Sequence, residues 1–198
     1  FKNINMKKIK SLLIFSILAL SMSSCDDAIE IIQDGEISPE VTFKTVADLQ
    51  AFLVGDVYTR VDNTNEIGFT SIFTDETSIG VNNGGQAKQL HRFFLNPADG
   101  YASGLWLQNY ALINRVNRLI EASEVITVEA DEEATLNSIL AQARTLRAYA
   151  YLQLVSYFST DTSNDSALGV MLFDYVPELT DVEPRVSNGE IFAFIESD

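Results

Sequence analysis

Asp75 and Glu76 are neighbouring carboxylates in a polar, glycine-bearing stretch. Paired carboxylates are the basic equipment for acid–base cleavage of a glycosidic bond. Adjacency argues against that use, because consecutive side chains point to opposite faces of a strand and diverge on a helix. His91 is the single histidine; a zinc site or an activated nucleophile needs more partners, so a polar or partly buried histidine is expected. Asp161-x-Ser163-x-Asp165 has the oxygen spacing of a calcium loop, but Ser166 and Leu172 stand where that loop needs glycine and a bidentate glutamate. No phosphate-cradling glycine motif occurs. The residues therefore point away from catalysis and imply no metal or cofactor.

Cys25 is the only cysteine, so it has no disulfide partner within the chain. Lys7, Lys8 and Lys10 precede the apolar run Leu12–Leu20 and the small residues Ser21–Ser24. Basic, apolar and small-residue segments in that order make a secretory signal, with Phe1–Asn5 reading as upstream sequence. The thiol at the cleavage point suits lipid attachment, as in a bacterial lipoprotein signal. Residues 1–24 are thus expected to be a signal peptide and 25–40 a lipidated tether carrying Asp26, Asp27, Glu30, Asp34 and Glu36. Residues 41–198 form the domain.

Four of the 13 basic residues and none of the 28 acidic ones precede Cys25, leaving residues 25–198 a net charge of -19. Such a surface repels nucleic acid and anionic membranes. No apolar run after Cys25 reaches the roughly 18–20 residues of a membrane-spanning helix. A hydrophobic content of 46%, with 12 Phe and 7 Tyr, is enough for a core.

The elements expected to carry these residues are helical. Thr45 and Asp48 are spaced as a capping box, and Val46, Leu49, Phe52, Leu53 and Val57 follow helical spacing, so the first helix should cover Val46–Arg60. A second should run from about Gly104 to Ala122, apolar on two faces and therefore buried from two sides. A third should run from about Asp131 to Phe158, with acids in its first turn. Its stripe is Leu136, Leu140, Ala143, Leu146, Ala150 and Leu154; Arg144 and Arg147 fall outside and should pair with acids on neighbours. Trp106 sits on a helical stripe and should serve packing. Ser159–Ala167 reads as a polar loop, Gly169–Val176 as extended, and Ser187 with Glu190 as a second capping box. The apolar face begun by Ile191, Phe192 and Ile195 is expected to continue past Asp198, so the sequence reads as an N-terminal fragment. The three helices suggest an antiparallel, layered, mostly α fold, although at a repeat of about 34 residues Trp106 falls on Leu140 and no self-similarity shows.

Four blocks in this order resemble the SusD/RagB family of nutrient-uptake outer-membrane lipoproteins. They are the signal through Cys25; Trp106-x-x-x-Tyr110-x-x-Ile113-x-x-x-Asn117-Arg118-Leu119-Ile120; Ala143-Arg144-x-Leu146-Arg147-Ala148-Tyr149-Ala150-Tyr151 with Leu154, Val155, Tyr157 and Phe158; and Gly169-Val170-x-Leu172 followed by Pro184-Arg185 and Ile191-Phe192-x-x-Ile195. The resemblance implies tetratricopeptide-like helix pairs with irregular loops and no catalysis. It also implies capture of oligosaccharides for a SusC-like TonB-dependent transporter. In Bacteroidetes lipoproteins, acids after the lipidated cysteine resemble a mark for the outer cell surface; a solvated linker is the other reading of the same residues. A helical-repeat lipoprotein that binds only protein is the alternative function.

Sugars are held by aromatic faces and by planar polar side chains that meet ring hydroxyls. The segment Ile67–Asp99, read as a loop, offers Asp75, Glu76, Asn82, Asn83, Gln86 and Arg92 as ligand contacts. Phe69 and Phe73, four residues apart, read as core, and Asn82-Asn83-Gly84 as a turn. The anchor reading predicts that Cys25→Ala leaves folding intact and moves the protein from the membrane to the soluble fraction. Retention of that variant in the membrane fraction would contradict it.

Overall fold

The structure, a computed structural model, describes residues 43–96 and 99–198. The signal-like segment, Cys25 and the tether lie outside the described residues.

The chain enters the domain through the expected capping box. Thr45 Oγ1 accepts from the Asp48 amide, and the Asp48 carboxylate accepts from the Thr45 amide at 2.9 Å. These bonds hold the Asp48 carboxyl below the usual carboxylate range, the Thr45 side chain contributing most. Helix α1, Val46–Phe52, runs on through a π-helical turn, Leu53–Val57, and a 3₁₀ turn, Tyr58–Arg60. The helical stretch therefore matches the predicted span, with a widened middle that periodicity alone does not reveal. Val46, Leu49, Leu53 and Val57 are buried along it.

The stretch expected to be a loop contains two helices, α2 (Thr64–Ile72) and the short α3 (Lys88–His91). The main pair follows: α4, Gly100–Val125, and α5, Glu133–Phe158. Helix α4 starts four residues before the predicted boundary because Asp99 caps it, accepting from the Tyr101 amide at 2.9 Å. The two helices run antiparallel: Trp106 near the start of α4 meets Phe158 at the end of α5, ring centroids 4.9 Å apart. Leu112, Ile113, Val116 and Leu119 of α4 and Ile139, Ala143, Ala150 and Leu154 of α5 share the core. Burying each large aliphatic side chain among them contributes about 1.5–3 kcal/mol.

After α5, strands β1 (Leu168–Met171) and β2 (Arg185–Ser187) pair antiparallel, Leu168 opposite Ser187 and Met171 opposite Arg185, with an irregular register between. Ser187 then caps α6, Asn188–Ser197, in the second expected capping box. Ile191 of α6 is fully buried against the same core.

One expectation is corrected. Arg147 does not lie outside the buried stripe of α5; it is 6% exposed. Its Nη1 donates to Asn117 Oδ1 on α4 at 2.7 Å, while Nε and Nη2 donate in parallel to the two oxygens of Asp198. The guanidinium also lies over the Phe194 ring, 4.8 Å from its centroid. Asn117 Nδ2 in turn donates to the carbonyls of Phe173 and Tyr175. Tyr151, one turn beyond Arg147, donates to the Phe173 carbonyl at 2.9 Å and accepts from the Phe173 amide at 2.7 Å. Burial holds the Tyr151 phenol well above its ordinary pKa, so it keeps its proton. Arg144 lies outside the stripe, as expected, and is exposed; among the described residues Arg147, not Arg144, makes the expected pairing with an acid.

Arg147→Ala strands both Asp198 and Asn117. It should lower stability by about 3–5 kcal/mol, the usual loss when one member of a buried charge pair is removed. Arg144→Ala should stay within about 0.5 kcal/mol of the parent. Urea denaturation of both variants checks the contrast.

Candidate functional site

Helix α2 lies unusually close to α4. A Cβ at Gly68 would come within 2.5 Å of the Tyr101 ring, and one at Gly104 within 2.8 Å of the Asn65 side chain. The two glycines thus let Asn65 and Tyr101 sit in the seam between the helices. Asn65 Nδ2 donates to Gln108 Oε1 at 3.1 Å, which fixes its orientation. On its other side α2 is tied to α5 through Glu66, whose carboxylate accepts from Tyr157 at 2.9 Å and from Gln153 at 3.0 Å. Burial first, and the Glu66 carboxylate second, push the Tyr157 phenol up to about 12.

Helix α3 closes the third side. Leu90 is its buried anchor, 1% exposed. The residues at its two ends, Ala87 (φ 53°) and Phe93 (φ 58°), are both left-handed, a region that side chains other than glycine seldom adopt. Between α2, α3 and the start of α4 lies an open groove of about 460 Å³, lined by Asn65, Lys88, Gln89, Asn96, Asp99 and Tyr101, with the backbone of Gly85 and Gly100. Three carboxamides, a carboxylate, an ammonium and an aromatic ring converge there. This donor and acceptor set suits a polyhydroxylated ligand.

A second pocket of about 240 Å³ lies between α4 and the segment after β1, lined by Trp106, Tyr110, Ile113, Asn117, Phe173 and Pro177 among others. Its polar groups serve the fold. The Tyr110 hydroxyl donates to the Met171 carbonyl at 2.9 Å and is held well above its ordinary pKa by burial. Asn117 is engaged by Arg147, Phe173 and Tyr175. Trp106 packs against Tyr110 and Phe158 and under Arg185, in keeping with a packing role.

None of the six sequence-derived ligand contacts lines the groove. Asp75, Glu76, Asn82, Gln86 and Arg92 are exposed on the segment that joins α2 to α3 or just beyond α3. Asn83 orders its own turn: Nδ2 donates to the Gln86 carbonyl at 2.7 Å, and Oδ1 accepts from the Gly85 amide at 3.0 Å. His91 Nε2 lies 2.9 Å from the Thr77 carbonyl. Phe69 and Phe73 are half-buried and stacked, centroids 5.0 Å apart. Asp161 folds onto its own loop, accepting from the Ser163 amide and hydroxyl, and no metal-binding cluster of acids, histidine or cysteine occurs among the described residues. Asn65, Gln89, Asp99 and Tyr101 were missed. Only Asp99, in a capping position before an apolar helix, gave a signal in the sequence, and that signal was for structure.

No protein-family model matches the chain. The SusD-like protein P2 of Formosa agariphila is 33% identical over 159 residues, which cover 77% of this chain and 30% of the relative. A SusD superfamily structure from Bacteroides fragilis superposes with a TM-score of 0.65 at 21% identity, over 79% of this chain and 38% of that one. A structure from Bacteroides vulgatus, described as a proposed sugar binding protein, gives 0.64 at 18% identity, over 79% and 36%. The chain thus spans about a third of the length of these relatives, and its fold of tetratricopeptide-like helices is theirs.

The left-handed entry to α3 yields a direct test. Ala87→Gly removes the steric cost of φ 53° and should raise stability by about 0.5–1 kcal/mol. Thermal unfolding of that variant measures the change; a loss of stability would contradict the α3 geometry.

Proposed function

The chain belongs to the SusD family, and on that premise we propose that it is part of a cell-surface protein that captures oligosaccharides and passes them to a SusC-like TonB-dependent outer-membrane transporter. The observation that carries this reading is the groove between α2, α3 and α4. Asn65, Gln89, Asp99 and Tyr101 converge there, while the alternative pocket at Trp106 has its polar groups engaged in the fold. Asp75, Glu76, Asn82, Asn83, Gln86 and Arg92, on the neighbouring segment, supply a rim of further hydrogen-bonding groups.

The chemistry of such a site is binding without turnover. Carboxamides and carboxylates meet ring hydroxyls, and the tyrosine ring covers a CH face. Asp99 has an amide-held oxygen at the cap of α4, and Glu66 is tied to Tyr157 and Gln153. Neither is disposed as one of a pair of free carboxylates facing each other across a bond. No described helix is long and apolar enough to cross a membrane. Attachment through lipid on Cys25 rests instead on the basic, apolar and small-residue run that precedes it in the sequence. The acidic residues of the tether, 25–40, favour the outward leaflet in this account.

The test is calorimetry of the full-length protein against oligosaccharides of varied linkage, with chromatography of the recovered sugar. The reading expects binding to at least one oligosaccharide, recovery of that sugar intact, and a loss of affinity of about tenfold, or 1.4 kcal/mol, in Asn65→Ala or Gln89→Ala. Co-purification with a barrel partner and no sugar affinity would support the protein-binding alternative instead.

A further inference from the structure

The loop that joins β1 to β2 displays two aliphatic side chains to water: Leu179 is fully exposed and Val182 is 91% exposed. Single aliphatics at a surface are ordinary, but these two stand on a fixed turn beside an apolar pocket. The Asp181 amide donates to the Glu178 carbonyl at 3.1 Å, and the Glu178 amide donates to Asp181 Oδ2 at 2.9 Å. At the base of the loop, the Tyr175 hydroxyl donates to Glu183 Oε1 at 3.0 Å. The Val176 amide donates to Glu121 Oε1 of α4 at 2.8 Å, and Asn117 donates to the Tyr175 carbonyl.

Pro177, two residues before Leu179 and so within about 7 Å of it along the chain, lines the pocket of about 240 Å³ with Trp106, Tyr110, Ile113, Met171 and Phe173. The polar groups that border this pocket are taken. Tyr110 is bonded to Met171, Asn117 to Arg147, and Asn114 Oδ1 to Arg118 Nε at 2.9 Å. A polar ligand buried there would leave groups without partners, whereas an apolar side chain fits. The loop from Leu172 to Pro184 has no lysine or arginine and four acids, Asp174, Glu178, Asp181 and Glu183. Among the described residues none of the four is ion-paired.

We infer that the pocket and the loop tip together form a protein-docking surface. The partner inserts an apolar side chain into the pocket, covers Leu179 and Val182, and meets the loop carboxylates with Lys or Arg. Charge selects this occupant. In a two-fold contact a second copy of the chain would set the same carboxylates against one another, and anionic lipid headgroups would be repelled. A partner with a basic rim is attracted instead, and a turn fixed before contact loses little freedom on binding. The inference rests on the transporter reading above and gives the transporter a contact surface separate from the groove.

The experiment uses the affinity-tagged full-length protein and, as probe, the TonB-dependent transporter solubilised from the same outer membrane. Replacing both aliphatics, Leu179→Asp with Val182→Asp, should lower recovery of the transporter at least about tenfold, with a melting temperature within about 2 °C of the parent. Leu179→Ile should retain recovery. If the parent and the double variant recover the transporter equally, the docking surface is wrong and the transporter reading stands. If the parent recovers none, both fall. Leu179→Cys, made in a Cys25→Ala background, tests the other occupants. Maleimide should label it freely in the isolated full-length protein. Protection there would mean that another part of the chain, or a second copy if light scattering shows a dimer, covers the tip, and would overturn the proposal.

Discussion

The guanidinium of Arg147 is the constraint on which the rest of the domain depends. It is 6% exposed, and a buried charge without partners costs several kcal/mol. Its donors therefore dictate where neighbouring elements must lie. Nη1 fixes Asn117 on α4, while Nε and Nη2 fix the Asp198 carboxylate at the end of α6. Asn117 passes the constraint on to the carbonyls of Phe173 and Tyr175, and Tyr151 holds both backbone groups of Phe173. One polar cluster thus sets the relation between α4, α5, α6 and the extended segment after β1. Apolar burial supplies the larger energy but is not directional; these bonds select one arrangement among those that burial would allow.

The same division of labour separates scaffold from site. Along α4 and α5 the buried polar side chains Asn109, Asn117 and Arg147 are hydrogen-bonded within the fold. At the start of α4 and on α2 and α3, carboxamides and a carboxylate line an open groove instead. Helix α2 bridges the two regimes: Glu66 binds inward to Tyr157 and Gln153, while Asn65, one residue earlier, lies along the groove. The groove is thereby mounted on the α4–α5 pair through Glu66 and through Asn65, which donates to Gln108 of α4.

Local chemistry was legible in the sequence, whereas relations between distant segments were not. Both capping boxes, Thr45 with Asp48 and Ser187 with Glu190, occur where their spacing put them, because each is closed within a single turn. The spacing of apolar residues likewise located α4 and α5 to within a few residues. Periodicity counts a charge as polar and so puts Arg147 outside the buried stripe; its expected pairing with an acid on a neighbour holds, and the distant Asn117 and Asp198 make its burial tolerable. Helix α2 was missed because Thr64, Asn65, Gly68 and Thr70 favour helix weakly. It exists through Glu66 and through the close approach of Gly68 and Gly104 to side chains of the facing helix. The groove gathers Asn65, Gln89 and Tyr101 from three separate segments, so no motif announces it. The polar residues picked from the intervening stretch were recognisable by type but lie on the surface beside the groove.

The most direct measurement is a crystal structure of the full-length protein with a bound oligosaccharide. The account predicts sugar density between Asn65, Gln89 and Tyr101, with the Arg147–Asn117–Asp198 cluster intact. Ligand density elsewhere on the protein, with the groove filled by its own chain, would contradict it.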